Sequence, residues 1–567
     1  MFSTALLVSR WLFIALLIVP VGAGIVAVLL PALSYFPAIG EHHFSLAAFS
    51  RLMQVDSIVH MAMLSLFTGL MATFIATVGT LSILAISYHT AMLGWVQRLL
   101  SPVLVIPHAA AAIALGFILS PAGWPARLVS PELSGWIAPP VVSLLHDELG
   151  LSVTIALAIK ALPFMLLMAL SVLAQPHLAD RLQKQVCVAR TMGYTPATAF
   201  LSVVWPVLYP LIRLPVLAVL AFATANVEIP LILGPGSPPT LAVAVLQWFN
   251  NVDIFMRLQA SAAACLHIGV TGLAIIIWLL IEKGAAALFH RRRCTGARNF
   301  ASWWLSVIAY FTLGTLILLM LCMLISLVTW SFATYWPFPD TFPLGITLIH
   351  WQTSLTALSQ PALNALLIAL PVSVIAVGLS LLVLEQEQIS HRATVSPGLK
   401  KEAVLFLPLL VPGVAFLFGL TWFSQFIGAG VWLPVLVSHF VYVLPYVFLS
   451  LAVAYRRFDI RYTYVGYGLG ASPYDVFWKV KLPQLFAPIM VALALGIAIS
   501  FSQYLPTLLP GAGTIATVTT ESVAVSAGGS RRLSAVYTLV QMIMPLIGFA
   551  LAWWLPLRFF NPAAWSD

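Results

Sequence analysis

The chain has 567 residues, 61% of them hydrophobic and only 8% charged, with a net charge of +9. A soluble domain carries about 25% charged residues, so water is not the solvent for most of this surface, and the absence of alternating strand patterns excludes an outer-membrane barrel. The four cysteines, Cys187, Cys265, Cys294 and Cys322, form no C-x-x-C pair, which argues against structural disulfides and zinc.

Asp, Glu, Lys and Arg are missing from 11–40, 57–97, 299–339 and 403–455. A spanning helix needs about 20 apolar residues, and in lipid the backbone must satisfy its own hydrogen bonds, so such runs are helices. The expected fold is an all-α polytopic membrane protein of about twelve transmembrane helices. The first, 11–33, has only Arg10 before it. It exceeds the roughly 7–15-residue core of a signal peptide and is read as a retained helix. Glu41-His42-His43 follows in a loop and resembles metal ligands only weakly; a solvated loop is the plainer reading. Five more spans are predicted at 60–85, 101–120, 151–174, 211–233 and 261–283. A basic stretch, 286–300, then divides the chain into units 1–285 and 301–567. The second unit repeats the pattern at 302–329, 361–384, 403–424, 431–453, 487–508 and 534–557.

Lysine and arginine set the orientation. With both termini inside, the cytoplasmic loops collect Arg98, Arg181, Lys184, Arg190, Arg213, Arg291–Arg293, Arg298, Lys400, Arg456, Arg457, Lys479 and Lys481, among others. The outside receives only Arg51, Arg127, Arg257, Arg531 and Arg532. This bias accounts for the positive net charge without nucleic acid, and the Arg291–Arg293 run reads as a topology anchor.

The two units share landmarks. Leu162-Pro163-Phe164 matches Leu444-Pro445-Tyr446. In the cytoplasmic loop that follows, Gly193, Pro196, Phe200, Val203 and Pro206 recur with identical spacing as Gly470, Pro473, Phe477, Val480 and Pro483. Thr195-Pro196 and Ser472-Pro473 read as an N-cap followed by proline in the first helical position, with Asp475 in the first turn. The closing prolines predict short helices over 196–205 and 473–482. Phe200 with Val203, and Phe477 with Val480, share one face. An aromatic knob there suits a partner's groove; the competing reading is a helix lying in the headgroups. Two copies with one spacing favour docking.

These loops, CVARTMGYTPATAFLSVVWP and YVGYGLGASPYDVFWKVKLP, resemble the EAA loop of binding-protein-dependent ABC importer permeases of type I. The Glu of that motif is replaced by Cys187 and Tyr464, and only Ala189 survives of the leading triplet in the first copy. The resemblance covers nearly the whole chain as two fused six-span units, as in ferric-iron, thiamine and Ynj-type permeases. It implies two parallel halves related by a pseudo-twofold axis, two separate ATP-binding-cassette ATPase subunits docked on the loops around Arg190 and Lys479, and a periplasmic substrate-binding protein. No cofactor is implied. The chain has no G-x-x-x-x-G-K-[ST] loop to cradle nucleotide, so ATP sites belong to partners other than membrane lipid. It is thus read as a transporter subunit, not an enzyme; the rival is a twelve-span transporter driven by an ion gradient.

Polar residues within spans mark the pathway candidates. Asn226 and Gln503 lie equally far, 33 residues, from Gly193 and Gly470, so parallel repeats would set them at one depth. Interhelical hydrogen bonding is the alternative. Glu228, with Leu505 in the matching place, either favours a cationic solute or sits paired at the interface. His60, His108 and His439 are read as packed or interfacial histidines.

Overall fold

A computed structural model of the chain describes residues 2–88, 90, 92–98, 106–141, 144–299, 302–390, 405 and 407–559. Helices account for nearly all of its regular structure, and no strand beyond isolated bridges occurs among the described residues. In the first half, the principal helices are α1 (Phe2–Ala32), α2 (Ile58–Ser87), α3 (His108–Leu119), α4 (Leu151–Leu173), α5 (Pro176–Thr191), α6 (Trp205–Thr224), α7 (Glu228–Leu233), α8 (Leu241–Phe249) and α9 (Met256–Cys294). The second half holds α10 (Ser302–Phe332), α11 (Ile349–Ser390), α12 (Gly413–Phe426), α13 (Trp432–Arg457), α14 (Ile460–Gly468), α15 (Phe486–Ser502), α16 (Leu505–Leu508), α17 (Val518–Ala527) and α18 (Arg531–Phe559).

Among the described residues, ten helices are long and apolar enough to cross a membrane, and a bent pair, Pro473–Gln484 with Phe486–Ser502, makes an eleventh. The ninth expected span, 403–424, is represented by α12, which has 14 residues and begins only after Pro412; residues 401–404 and 406 lie outside the described set. Residues 101–105 of the expected third span also lie outside it, and that span runs from His108 to Val129. The basic stretch expected to be a linker is largely helical, because α9 continues to Cys294.

Composition explains the exposed faces. Trp11, Val19 and Val26 of α1, Phe311 and Leu318 of α10, and Trp553 of α18 present apolar side chains outward, as a surface in contact with hydrocarbon requires. At the tightest helix crossings, glycines let backbones meet. A Cβ added at Gly419 would lie 1.8 Å from the Gly24 carbonyl oxygen, and one at Gly24 would lie 2.2 Å from that of Phe416. This close crossing joins α1 of the first half to α12 of the second.

That crossing is part of an exchange. α1 packs chiefly on α12, then on α9 of its own half and on α11, while α10 packs on α2 and α3 of the first half as well as on α18 of its own. Each half therefore lends its first helix to the other, and one continuous apolar core includes residues of both. At the end bearing Arg127, the guanidinium donates to the Ala122, Trp336 and Asp340 carbonyls at 3.0, 3.3 and 2.9 Å. Arg531 donates to the same Ala122 carbonyl at 3.2 Å. At the opposite end, Arg457 donates to the Ala174 carbonyl at 2.6 Å. Arg127 and Arg531, both expected on one side from the charge pattern, share the Ala122 carbonyl.

Candidate functional site

The repeated loops are built alike. α5 ends at Gly193 with φ 88°, and α14 ends at Gly470 with φ 84°, a left-handed turn that glycine takes without penalty. In the first copy the Gly193 N–H donates to the Arg190 carbonyl and the Tyr194 N–H to that of Ala189, at 3.0 and 3.2 Å. In the second, the Gly470 N–H donates to the Tyr467 carbonyl and the Ala471 N–H to that of Gly466, both at 3.0 Å. These are matching Schellman caps. Pro196 and Pro473 then open four-residue α-turns, Pro196–Ala199 and Pro473–Val476. Ser472 caps the second by accepting the Asp475 N–H at 3.1 Å, and Asp475 pairs with Lys479 at 2.7 Å.

Both turns widen at the aromatic residue into five-residue π-turns, Phe200–Val204 and Phe477–Lys481. The Trp205 N–H reaches back to the Phe200 carbonyl, and the Leu482 N–H to that of Phe477. Each π-turn immediately precedes the residue before a proline, Pro206 or Pro483. A proline lacks the N–H and crowds the preceding turn, and a π-bulge absorbs that mismatch without ending the helix. The short helices expected to stop at these prolines therefore do not stop there. The first runs on as one span, Pro196–Leu233, and the second continues into α15 through a 75° bend.

A second expectation is overturned by burial. Phe200 and Phe477 are 1% and 2% exposed. Phe200 sits edge-on to Tyr88 with ring centroids 5.4 Å apart, and Phe477 belongs to the core of the second half. They anchor the loops inward and offer no knob to a partner. Val203 and Val480 are half-buried, while Arg190, Pro206 and Lys479 are exposed and Pro483 is half-buried. What both loops expose is an apolar pair just before the glycine. Val188 of α5 and Met192 just after it correspond in spacing to Val465 of α14 and Leu469 just after it, and all four are more than half exposed. The sequence held this signal as apolar residues at i and i+4, in register with the glycines.

The copies differ in their surroundings. The segment after α9 folds over the first loop: the Thr195 N–H donates to the Arg298 carbonyl at 3.2 Å, and the Arg298 guanidinium lies 3.2 Å from where a Cβ on Gly193 would stand. Nothing comes within 4 Å of the same point on Gly470. The second loop is tied down instead by a buried ion pair. Lys481 Nζ donates to both Glu385 oxygens at 2.9 and 2.6 Å and to Gln388 Oε1 at 2.7 Å, and the Tyr455 hydroxyl donates to Glu385. Val204 holds the position of Lys481 in the first copy.

Within the bundle, the helices that follow the loops break at corresponding places. α6 ends at Thr224 and α7 starts at Glu228; α15 ends at Ser502 and α16 starts at Leu505. Asn226 and Gln503 occupy the breaks. Asn226 is buried and its Oδ1 accepts the Ile229 N–H at 2.9 Å, capping α7. Gln503 is half-buried and caps the end of α15. Glu228 bridges the halves: its Oε1 accepts the Tyr504 N–H at 3.2 Å. The remaining polar groups near the breaks are structural. His439 hydrogen-bonds with Ser500 Oγ and Thr507 Oγ1, at 2.8 and 2.9 Å, and His267 with the Thr224 carbonyl at 3.2 Å. His108 packs at a tilt against Phe222, ring centroids 5.0 Å apart, and His60 is exposed.

Neither a known family profile nor a solved structure matches the chain. It is 29% identical over 418 residues, 73% of its own length and 73% of the relative's, to the inner membrane ABC transporter permease protein YnjC of Escherichia coli (strain K12). That likeness is spread over most of a polytopic helical bundle, so over most of its length the chain is similar to an ABC transporter permease, the transmembrane subunit of such a transporter.

Proposed function

We propose that the chain is the fused permease of a type I, binding-protein-dependent importer in the cytoplasmic membrane, with units 1–285 and 301–567 forming the two halves and both termini cytoplasmic. Two ATPase subunits engage the loops around 187–206 and 464–483. A periplasmic binding protein delivers a small polar solute at the other end, and the solute passes between the halves at Asn226, Glu228 and Gln503. The observation that carries this reading is the twofold recurrence of one unit: Schellman cap, proline-led turn, π-turn and exposed apolar pair. A single such unit is a local solution to a proline; two at equivalent positions supply paired levers for paired motors.

Docking is assigned to Val188 and Met192, and to Val465 and Leu469, with Tyr474 and Trp478 flanking the second copy. When the ATPases close on ATP, both loops are drawn together and the buried Phe200 and Phe477 carry that motion into the bundle. The test is co-purification of ATPase subunits with the tagged full-length chain. Val188→Glu with Met192→Glu, and Val465→Glu with Leu469→Glu, are expected to lower the ATPase yield separately and abolish it together. Uptake driven by an ion gradient alone, with no ATP hydrolysed, overturns the proposal.

A further inference from the structure

We infer that the solute carries a positively charged organic nitrogen and that Glu228 is its counter-ion, an inference that rests on Asn226, Glu228 and Gln503 lining the route. Glu228 is 8% exposed. Its Oε1 accepts one backbone N–H, and its Oε2 has no hydrogen-bond partner. No ion pair to it occurs among the described residues. A carboxylate held this way inside a bundle is expensive. It stands at the joint between the halves, where alternating access parts the walls, and not within the packing of one half.

The carboxylate itself sets the charge preference. α6 and α15 end at Thr224 and Ser502, but α7 and α16 start at Glu228 and Leu505, so negative and positive helix ends meet at the same breaks. The Tyr442 and Tyr504 phenols lie within electrostatic range of Glu228. Tyr446, one turn from Tyr442, meets Phe164 of the other half edge-on at 6.1 Å. Aromatic faces attract alkylated or protonated amines. A bare metal ion is a poor fit. Among the described residues no group of three His, Cys, Asp or Glu could hold one, and Asn226 Oδ1 is already taken by Ile229. An anionic solute would meet the lone acid, Glu228, with no ion pair to it among the described residues. Leu505 replaces the carboxylate in the other half, so the junction offers one seat and not two.

The test uses the full chain in lipid nanodiscs. Choline and benzyltrimethylammonium are compared with their uncharged carbon isosteres, 3,3-dimethylbutan-1-ol and neopentylbenzene, by thermal stabilisation across a concentration series. The cations are expected to stabilise and the isosteres not. Glu228→Gln should weaken the response at least tenfold, and Glu228→Asp should retain it. Equal responses to cation and isostere, a stronger response to Mg²⁺, or an unchanged response in Glu228→Gln overturns the inference. Asn226→Leu with Gln503→Leu is measured alongside for transport. If transport is lost there while Glu228→Gln keeps full cation response, the route stands and the cation falls. If transport is untouched while the cation response depends on Glu228, the seat stands and the route falls.

Discussion

Removing Lys481 should destabilise the whole second half. Its ammonium has three protons, and the structure gives each an acceptor: the two Glu385 oxygens at 2.9 and 2.6 Å and Gln388 at 2.7 Å. Both side chains are 1% exposed, so neither charge can turn to water. Lys481→Met leaves Glu385 with the Tyr455 hydroxyl and no counter-charge. Breaking one side of a buried pair costs about 3–5 kcal/mol, whereas replacing both sides with apolar groups of similar volume is often neutral or stabilising by about 1–4 kcal/mol. Lys481→Met and Glu385→Met should each lower denaturant stability in mixed micelles by a few kcal/mol, and the double variant should recover most of it. Lys481→Met within about 1 kcal/mol of the parent, the range of an exposed pair, would refute the reasoning.

Phe200→Asp and Phe477→Asp should reduce the yield of folded, monodisperse chain, because they place a carboxylate in a packed core; the glutamate pairs at Val188 and Met192, or Val465 and Leu469, should leave size-exclusion profiles unchanged. Gly419→Ala should separate α1 from α12 and cost about 1–3 kcal/mol as overpacking, with Gly24→Leu worse, both visible as lower thermal midpoints in nanodiscs. Arg127→Met should strip four carbonyls, those of Ala122, Trp336, Pro337 and Asp340, of a common donor. Limited proteolysis between Trp336 and Gly345 is the measurement, with faster cleavage expected.

Hydropathy made most of the spans readable, because hydrocarbon dictates length and composition so strictly. Glycine and proline spacing likewise exposed the twin loops, since left-handed turns and missing N–H groups leave few choices. The facing of side chains was not readable. On a helix that is apolar all round, periodicity cannot tell a core-facing Phe200 from a protruding one. The Lys481–Glu385 pair spans 96 residues of sequence, and each partner alone reads as a loop charge. The closing prolines suggested helix ends at Pro206 and Pro483, but the π-turns that rescue those helices depend on local geometry that composition does not carry.

The traded first helices bear on what the peptide link between the halves is for. An arm reaching around each neighbour is a clasp, and a clasp holds after the string is cut. Nicking the connector at 295–299, or encoding the chain as two co-expressed polypeptides, should still yield an interlocked pair. Covalent fusion here fixes stoichiometry and birth order; cohesion comes from the embrace.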